Sequence, residues 1–129
     1  MLIKKVTLCI TNFKKEKFLD RAIRSCESQI PNGLEINTVV VNDGSPKFNK
    51  KNLLKEFPEI KIIDYKKNRG VSYASNKALY SLKSDYYMRV DADDYIGIKT
   101  CLILSSILNE NKNLPFIYGD ILQIDKNLN

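Results

Sequence analysis

The chain has 129 residues, which is enough for one domain with its own core and too few for two. Hydrophobic residues make up 43% of the sequence and charged residues 28%, so the composition is that of a globular protein rather than a disordered one. The 21 Lys and Arg residues against 15 Asp and Glu give a net charge of +6, which favours an anionic partner such as a nucleotide phosphate, a nucleic acid or an acidic lipid.

No apolar run approaches the roughly 18 residues of a membrane span, and the first residues lack the apolar core of a secretion signal. We therefore expect a cytoplasmic domain. The cysteines Cys9, Cys26 and Cys101 contain no CxxC pair and are expected to be reduced structural thiols. Because the sequence has no histidine, it lacks the commonest general base and any histidine-based zinc site.

The first part of the chain alternates short apolar runs with helical patterns. Val6 to Ile10 is a β-type run, and the next segment places an apolar stripe on one helical face, formed by Phe18, Leu19, Ala22, Ile23 and Cys26. Residues 31–33 (Pro, Asn, Gly) break the chain before a second strand at Ile36 to Val41. Since residues 39–41 of that strand are all valine, we expect it to be covered on both faces.

The same alternation continues to the end of the sequence. A helix carrying Leu53, Leu54 and Phe57 is predicted to stop near Pro58, because proline cannot continue it. The pattern then predicts, in order, a strand at Ile60 to Ile63, a helix from Val71, a strand at Tyr86 to Val90, a helix at about Ile98 to Leu108, a final strand near Phe116 to Tyr118 and a further strand candidate at Ile121 to Ile124.

Alternating strands and helices indicate an α/β fold, with right-handed crossovers and an open, mostly parallel, doubly wound sheet. Ligands of such sheets bind beyond the carboxyl ends of the strands. Polar segments follow all four of the first predicted strands: residues 11–13, 42–45, 68–72 and 91–94. We therefore expect these four segments to lie along one edge of the sheet and to form the site.

The most informative of these segments is Asp91, Ala92, Asp93, Asp94, which follows a buried strand directly. Carboxylates this close repel one another, and a cation or a hydrogen-bonding ligand offsets the repulsion. Mg²⁺ and Mn²⁺ prefer oxygen ligands and use one or two protein carboxylates together with phosphates and water. The segment thus predicts a metal bound with a diphosphate, while the alternative is an acidic turn in which Asp91 and Asp94 cap the next helix.

Two other segments have both a functional and a plain structural interpretation. Asn42 to Ser45 is a good turn sequence, yet the Asp43 carboxylate at a strand end can also accept a hydrogen bond from a pyrimidine N–H. Asn68 to Ser72 opens a helix, where Gly70 allows a diphosphate to approach the backbone closely, or merely starts the helix. The sequence contains neither GxGxxG nor GxxxxGK[ST], which disfavours a dinucleotide fold and a P-loop.

The basic residues are expected to be solvated surface and to bind no nucleic acid, because aromatic residues are not interleaved with them. The group from Lys14 to Lys17 follows the first strand, and one of its lysines is a candidate for contact with a phosphate, or for peripheral contact with a membrane that carries a lipid-linked acceptor.

Taken together, four segments of the sequence resemble those of the family 2 inverting glycosyltransferases of the GT-A fold. They are residues 10–13, 40–45, 68–76 and 91–94. They occur in the family's order and at about its spacing, over essentially the whole chain. The resemblance implies an enzyme that transfers a hexose from a nucleotide sugar, most commonly a UDP-sugar, to a glycan or lipid-linked acceptor with inversion.

The resemblance also implies roles for individual residues. Thr11 and Phe13 match positions that line the nucleoside pocket, although the family usually has Tyr in place of Phe13. Asp43 matches the residue that reads the base, and Asn42 stands where a second Asp is more usual. The segment beside the nucleotide is matched by Asn68, Gly70 and Asn76, with Ser75 in place of a frequent Arg. The DxD pair, which holds Mn²⁺ or Mg²⁺ and touches the donor ribose or diphosphate, is matched by Asp91 and Asp93, with Asp94 as a neighbour that shares the ligation.

No catalytic base is assigned, because the family places it well downstream of the DxD pair and none of the later acidic residues, Glu110, Asp120 and Asp125, resembles it. We expect the base beyond Asn129. Residues 1–129 are thus expected to form a single donor-binding domain that is truncated before the acceptor-binding part and is inactive alone. The alternatives are a non-catalytic nucleotide-sugar binding module and a sugar nucleotidyltransferase, although the latter should carry a Gly-rich, Arg-containing loop at residues 11–15.

Overall fold

The computed structural model describes residues 3–125 and contains four strands and four helices in strict alternation. In chain order these are β1 (Lys5–Asn12), α1 (Glu16–Glu27), β2 (Glu35–Asp43), α2 (Lys50–Glu56), β3 (Lys61–Tyr65), α3 (Val71–Ser81), β4 (Tyr86–Asp91) and α4 (Thr100–Glu110). The element types predicted as far as residue 108 are confirmed, with boundaries that differ by a few residues.

All four strands are parallel and lie in the order β3-β2-β1-β4. The register places Thr11 beside Asp91, Asn12 beside Asn42, and Asn42 beside Asp64. Because the strands run in one direction, the segments that follow them emerge at the same edge of the sheet. The predicted open parallel sheet and its common polar edge are confirmed.

Helices cover both faces of the sheet. On the first face, α1, α2 and α4 pack over a core that includes Leu8, Ile10, Leu19, Ile23, Val40, Phe57 and Cys101. On the second face α3 packs through Ala74 and Ala78 against Cys9, Val39 and Val41. The two small side chains let the helix approach the strands closely, and the coverage on both faces explains the uninterrupted valine run of β2. All three cysteines are buried and free.

The segment after β4 is fastened to α1 by a buried glutamine. The Gln29 amide nitrogen donates to the carbonyl of Gly97 at 2.7 Å, and its oxygen accepts from the Cys101 backbone N–H at 2.9 Å. The Ile30 N–H donates to the carbonyl of Ile98 at 3.0 Å. The acidic turn at residues 91–94 therefore lies between β4 and the segment at residues 97–101, which these hydrogen bonds hold in place.

The two strands predicted after α4 are wrong. Residues 111–125 contain no helix or strand, and Phe116, Tyr118, Ile121 and Leu122 expose 73 to 89% of their surface. An apolar pattern forms a strand only where a sheet edge hydrogen-bonds to it, and the described sheet ends at β4 without pairing with this segment. No helix among residues 3–125 is both long and apolar enough to cross a bilayer.

Candidate functional site

Asp43 lies at the carboxyl edge of the sheet and binds the segment that follows β3. It is only 4% exposed, and its carboxylate accepts three hydrogen bonds from the segment between β3 and α3. The donors are the Arg69 N–H at 2.8 Å, the Gly70 N–H at 2.9 Å and the Asn68 side-chain amide at 2.9 Å. This anchoring role was not predicted from the sequence, because donor and acceptor lie 25 to 27 residues apart.

The Asp43 carboxylate retains acceptor capacity. A carboxylate offers about four lone-pair sites, and here Oδ2 accepts two hydrogen bonds while Oδ1 accepts one. The Tyr65 hydroxyl lies beside the remaining acceptor site, and burial, followed by hydrogen bonding to the Asp43 carboxylate and the charge of that carboxylate, raises the pKa of Tyr65 above its usual value. Asp43, Asn68 and Gly70, which the sequence analysis assigned to the nucleotide, are thus brought together in one cluster.

Gly44 is required at the turn after β2. Its φ of 79° is in the left-handed region, and a Cβ placed there would lie 2.4 Å from the Asn68 backbone nitrogen. The turn between β2 and α2 therefore packs backbone against backbone on the segment that Asp43 anchors.

Asn42, the neighbour of Asp43, points to the opposite face of the sheet and binds a different set of groups. Its amide nitrogen donates to Asp64 Oδ1 at 2.9 Å and to the Ser45 carbonyl at 3.1 Å. Its oxygen accepts from the Ser45 N–H and from the Asn12 amide, both at 3.2 Å. Two of these four contacts need a donor, so an amide fits this position where a carboxylate would not.

Ser45 links the ends of β1 and β2. Its hydroxyl accepts from the Lys14 N–H at 3.2 Å and donates to the Glu16 carboxylate. Burial is the largest influence and opposes ionisation of Glu16, but the hydrogen bonds from Ser45, the Glu16 backbone and Asn12, together with the charge of Lys47, outweigh it and lower the pKa of Glu16. The loop that carries Phe13, Lys14 and Lys15 is thereby fixed to the turn after β2.

The acidic segment forms a tight turn whose carboxylates have cationic partners. The Asp94 N–H donates to the Asp91 carbonyl at 2.9 Å. Lys15 Nζ lies 3.1 Å from Asp93 Oδ2, and Arg89 Nε lies 3.4 Å from Asp91 Oδ1. Burial, and then the charges of Asp91 and Asp93, raise the pKa of Asp94. The repulsion expected from the sequence is therefore present and only partly neutralised.

The helix-capping alternative for this segment is wrong, because the next α-helix, α4, begins at Thr100 and its N-cap is Lys99. A preformed metal cage is also absent from the described part of the chain, which contains no group of three or more His, Cys, Asp or Glu side chains arranged to hold an ion. Asp91, Asp93 and Asp94 are neighbours in a turn and do not converge as three ligands.

The remaining predicted residues lie at or near the same edge. Thr11 is half-buried beside Asp91, and Phe13 is 40% exposed just past β1, with Lys14 Nζ 5.1 Å from its ring centre. Asn76 is exposed in the second turn of α3. The Ser75 hydroxyl and the Tyr87 hydroxyl are 2.6 Å apart, so the serine found in place of the family's frequent arginine ties α3 to β4.

A basic cavity beside β3 was not predicted as a unit. It has a volume of about 440 Å³ and is lined by Tyr65, Tyr73, Lys66, Lys67, Arg69 and Lys77, among others. None of the four cations forms an ion pair with a carboxylate in residues 3–125. Among the residues that the structure describes, Asp64 is the one acid that lines the cavity, so the four cations leave this end of the carboxyl edge electropositive, whereas the end at β4 is acidic.

The sequence matches a known protein family and individual bacterial proteins. A family model described as glycosyl transferase family 2 matches residues 7–119. The chain is 31% identical over 97 residues to a teichoic acid poly(glycerol phosphate) polymerase of Staphylococcus epidermidis, covering 72% of this chain and 13% of that protein. It is 34% identical over 122 residues to an uncharacterized glycosyltransferase of Haemophilus influenzae, covering 92% and 37%. The chain thus spans well under half the length of these relatives.

Solved structures share the fold. S. aureus TarS 1–349 superposes with a TM-score of 0.73 at 23% identity, over 84% of this chain and 33% of that chain, and it has also been crystallised in complex with UDP and with UDP-GlcNAc. The mannosyltransferase PcManGT from Pyrobaculum calidifontis, in complex with GDP-Man and Mn²⁺, superposes with a TM-score of 0.63 at 17% identity, over 78% and 31%. These likenesses confirm the predicted GT-A fold.

We predict that Gly44→Ala destabilises the fold by about 2 kcal/mol or more, because the new Cβ combines left-handed strain with a backbone collision. Urea unfolding measures the loss. Gly33→Ala is the matched control, since Gly33 has a similar φ of 88° and nothing within 4 Å of the added Cβ. Equal losses in the two variants would contradict the collision.

We predict that Asn42→Asp lowers the free energy of unfolding by about 1–3 kcal/mol at pH 7, since the carboxylate would face the Asp64 carboxylate and the Ser45 carbonyl. The repulsion would raise the folded-state pKa of the new acid, so the loss should be present above that pKa and should diminish as the pH falls through it. Unfolding followed between pH 4 and pH 8 measures this trend. A loss that does not depend on pH would contradict the charge argument.

Proposed function

This chain belongs to glycosyl transferase family 2, and from that premise we propose that it is the donor-binding domain of an inverting enzyme that transfers a hexose from a UDP-sugar to a hydroxyl of a glycan or lipid-linked acceptor. The observation that carries the proposal is the common edge of the sheet, where the Asp43 cluster and the acidic turn at residues 91–94 emerge from parallel strands. The Asp43 cluster suits a nucleoside, and the acidic turn suits a metal–diphosphate.

For the nucleoside, we propose that Asp43 accepts the N–H of a uracil ring through its remaining lone pair. Its three hydrogen bonds to residues 68–70 hold the carboxylate in a fixed orientation, so the acceptor is set before the ligand arrives. A cytosine ring has no N–H at that place and would be bound less well. The UDP complex of TarS, a protein of the same fold, supports the choice of uridine.

For the diphosphate, Asp91 and Asp93 fit a Mn²⁺ or Mg²⁺ ion, because such ions need only one or two protein carboxylates when phosphates and water complete the shell. The lack of a three-ligand cage is therefore compatible with the proposal, and Asp94 is a third candidate ligand. When bound, the metal would neutralise charge that develops on the leaving nucleoside diphosphate. The complex of PcManGT with GDP-Man and Mn²⁺ supports this choice of ion.

Within the proposed reaction, the described residues bind and orient the donor. Thr11 and Phe13 would line the nucleoside pocket, and Asn68, Gly70 and Asn76 would lie along the nucleotide. The basic side chains around Arg69 would attract the anionic donor to this edge. Activation of the acceptor hydroxyl is proposed for the whole enzyme that contains this domain, so we expect this chain alone to bind donor nucleotide with little or no sugar transfer.

We predict that Asp93→Ala abolishes the Mn²⁺-dependent part of UDP binding, because it removes a ligand of the proposed ion. Calorimetric titration with UDP, with and without Mn²⁺, measures the effect. Asp120→Ala is the matched control, since Asp120 is exposed in the segment after α4. Unchanged affinity in the Asp93 variant would remove the metal assignment. Binding without turnover by the complete protein would instead favour a non-catalytic nucleotide-sugar module.

We predict that Asp43→Asn shifts the preference from UDP toward CDP by about tenfold, the worth of one hydrogen bond to a charged group. The amide oxygen would take over the two hydrogen bonds at Oδ2, and the NH₂ group at the Oδ1 place would lose the hydrogen bond from the Arg69 N–H and face the base as a donor. The ratio of UDP to CDP affinities is the readout, because loosening of residues 68–70 would weaken both nucleotides alike. An unchanged ratio would remove the base-reading role.

A further inference from the structure

Lys15 and Asp93 form an ion pair that joins the loop after β1 to the acidic turn after β4. The ammonium and the carboxylate are 3.1 Å apart, and their side chains are 50% and 39% exposed. An ion pair with this much exposure is weak, so a stronger partner for either group can separate it. Both groups lie where the proposed ligand would bring stronger partners.

The backbone of the acidic turn does not depend on this ion pair. The Arg21 guanidinium, from α1, donates to the Asp93 carbonyl at 2.9 Å and lies 4.7 Å from the centre of the Tyr95 ring. Arg21 therefore holds the main chain of the turn, while Lys15 contacts only the carboxylate. The carboxylate can change partner while the turn stays in place.

The backbone of Lys15 is held in place, whereas its side chain is half-exposed and, in the part of the chain that the structure describes, is held only by the ion pair with Asp93. Lys14, with a φ of 57°, donates its N–H to the Ser45 hydroxyl, and Lys15 is the N-cap residue of α1. The lysine head group is a compact charge on a flexible four-carbon stem. It can therefore turn from one anion to another nearby without movement of the main chain.

We infer that Lys15 is a donor-binding residue that exchanges one anionic partner for another. In the free protein Lys15 pairs with Asp93. When the metal–diphosphate binds, Asp93 binds the metal ion and Lys15 binds a phosphate oxygen. The inference rests on the proposed function. No covalent bond changes in the exchange, and both charges keep an opposite charge throughout. Lys15 thus opposes binding of the metal alone and favours binding of the metal together with the diphosphate.

The test uses Lys15→Gln in the full chain, with two separate readouts. Binding of Mn²⁺ alone, followed by the electron paramagnetic resonance signal of the free ion, should become about two- to fivefold tighter, because the competing ammonium is gone. Binding of UDP at saturating Mn²⁺, followed by calorimetry, should become about fivefold weaker or more, because a phosphate contact is lost.

Two further variants separate the exchange from the mere loss of one positive charge. Lys17→Gln removes the same charge two residues away, in the first turn of α1, but Lys17 Nζ lies over the Phe18 ring at 4.7 Å and forms no ion pair with a carboxylate among the described residues. It should change both affinities less than twofold. In an Asp93→Asn background, Lys15→Gln should no longer tighten Mn²⁺ binding, because the partner of Lys15 has lost its charge.

Equal effects of Lys15→Gln and Lys17→Gln would overturn the exchange, and so would unchanged UDP affinity in Lys15→Gln. If the unaltered chain binds UDP in the presence of Mn²⁺ and either result is found, only the exchange fails. If the unaltered chain binds neither Mn²⁺ nor UDP, the proposed function fails and the exchange fails with it.

Discussion

The geometry of the carboxyl edge of the sheet depends on the hydrogen bonds that the Asp43 carboxylate accepts from residues 68–70. This carboxylate is buried at the end of β2, and three hydrogen bonds fix the segment that leads from β3 into α3. A buried carboxylate without partners would be costly, so the fold is stable only with residues 68–70 in this position. The close approach at Gly44 follows from the same contact, since both bring the turn after β2 against that segment.

Two adjacent residues of β2 form hydrogen bonds on opposite faces of the sheet. Asp43 accepts hydrogen bonds on the side of α3, and Asn42 both donates and accepts on the side of α1. This division explains the departure from the family's usual pair of acids, because position 42 has two acceptors to satisfy here. The amide at 42 is thus a structural requirement, whereas the acid at 43 combines an anchor with a free lone pair.

Much of this arrangement could be predicted from the sequence, since the valine run of β2, the apolar stripe of α1 and the polar segments after each strand are local patterns. The partners of Asp43 and Lys15 could not, because they lie 25 or more residues away and depend on strand order. Neither could the exposed state of Phe116 and Tyr118, whose apolar pattern favours a strand although the described sheet ends at β4 without pairing with this segment. The roles proposed for all the nucleotide-binding and metal-binding residues remain predictions.

The strand order has a consequence for how this surface can vary. The chain runs outward from β1 through β2 to β3 and then returns to place β4 on the other side of β1. Asp43 fastens its loop from one side of that reversal, and Arg21 fastens the acidic turn from the other. Because neither anchor touches the other's loop, substitutions on one side leave the support of the other intact. Selection can therefore retune each half of the surface independently.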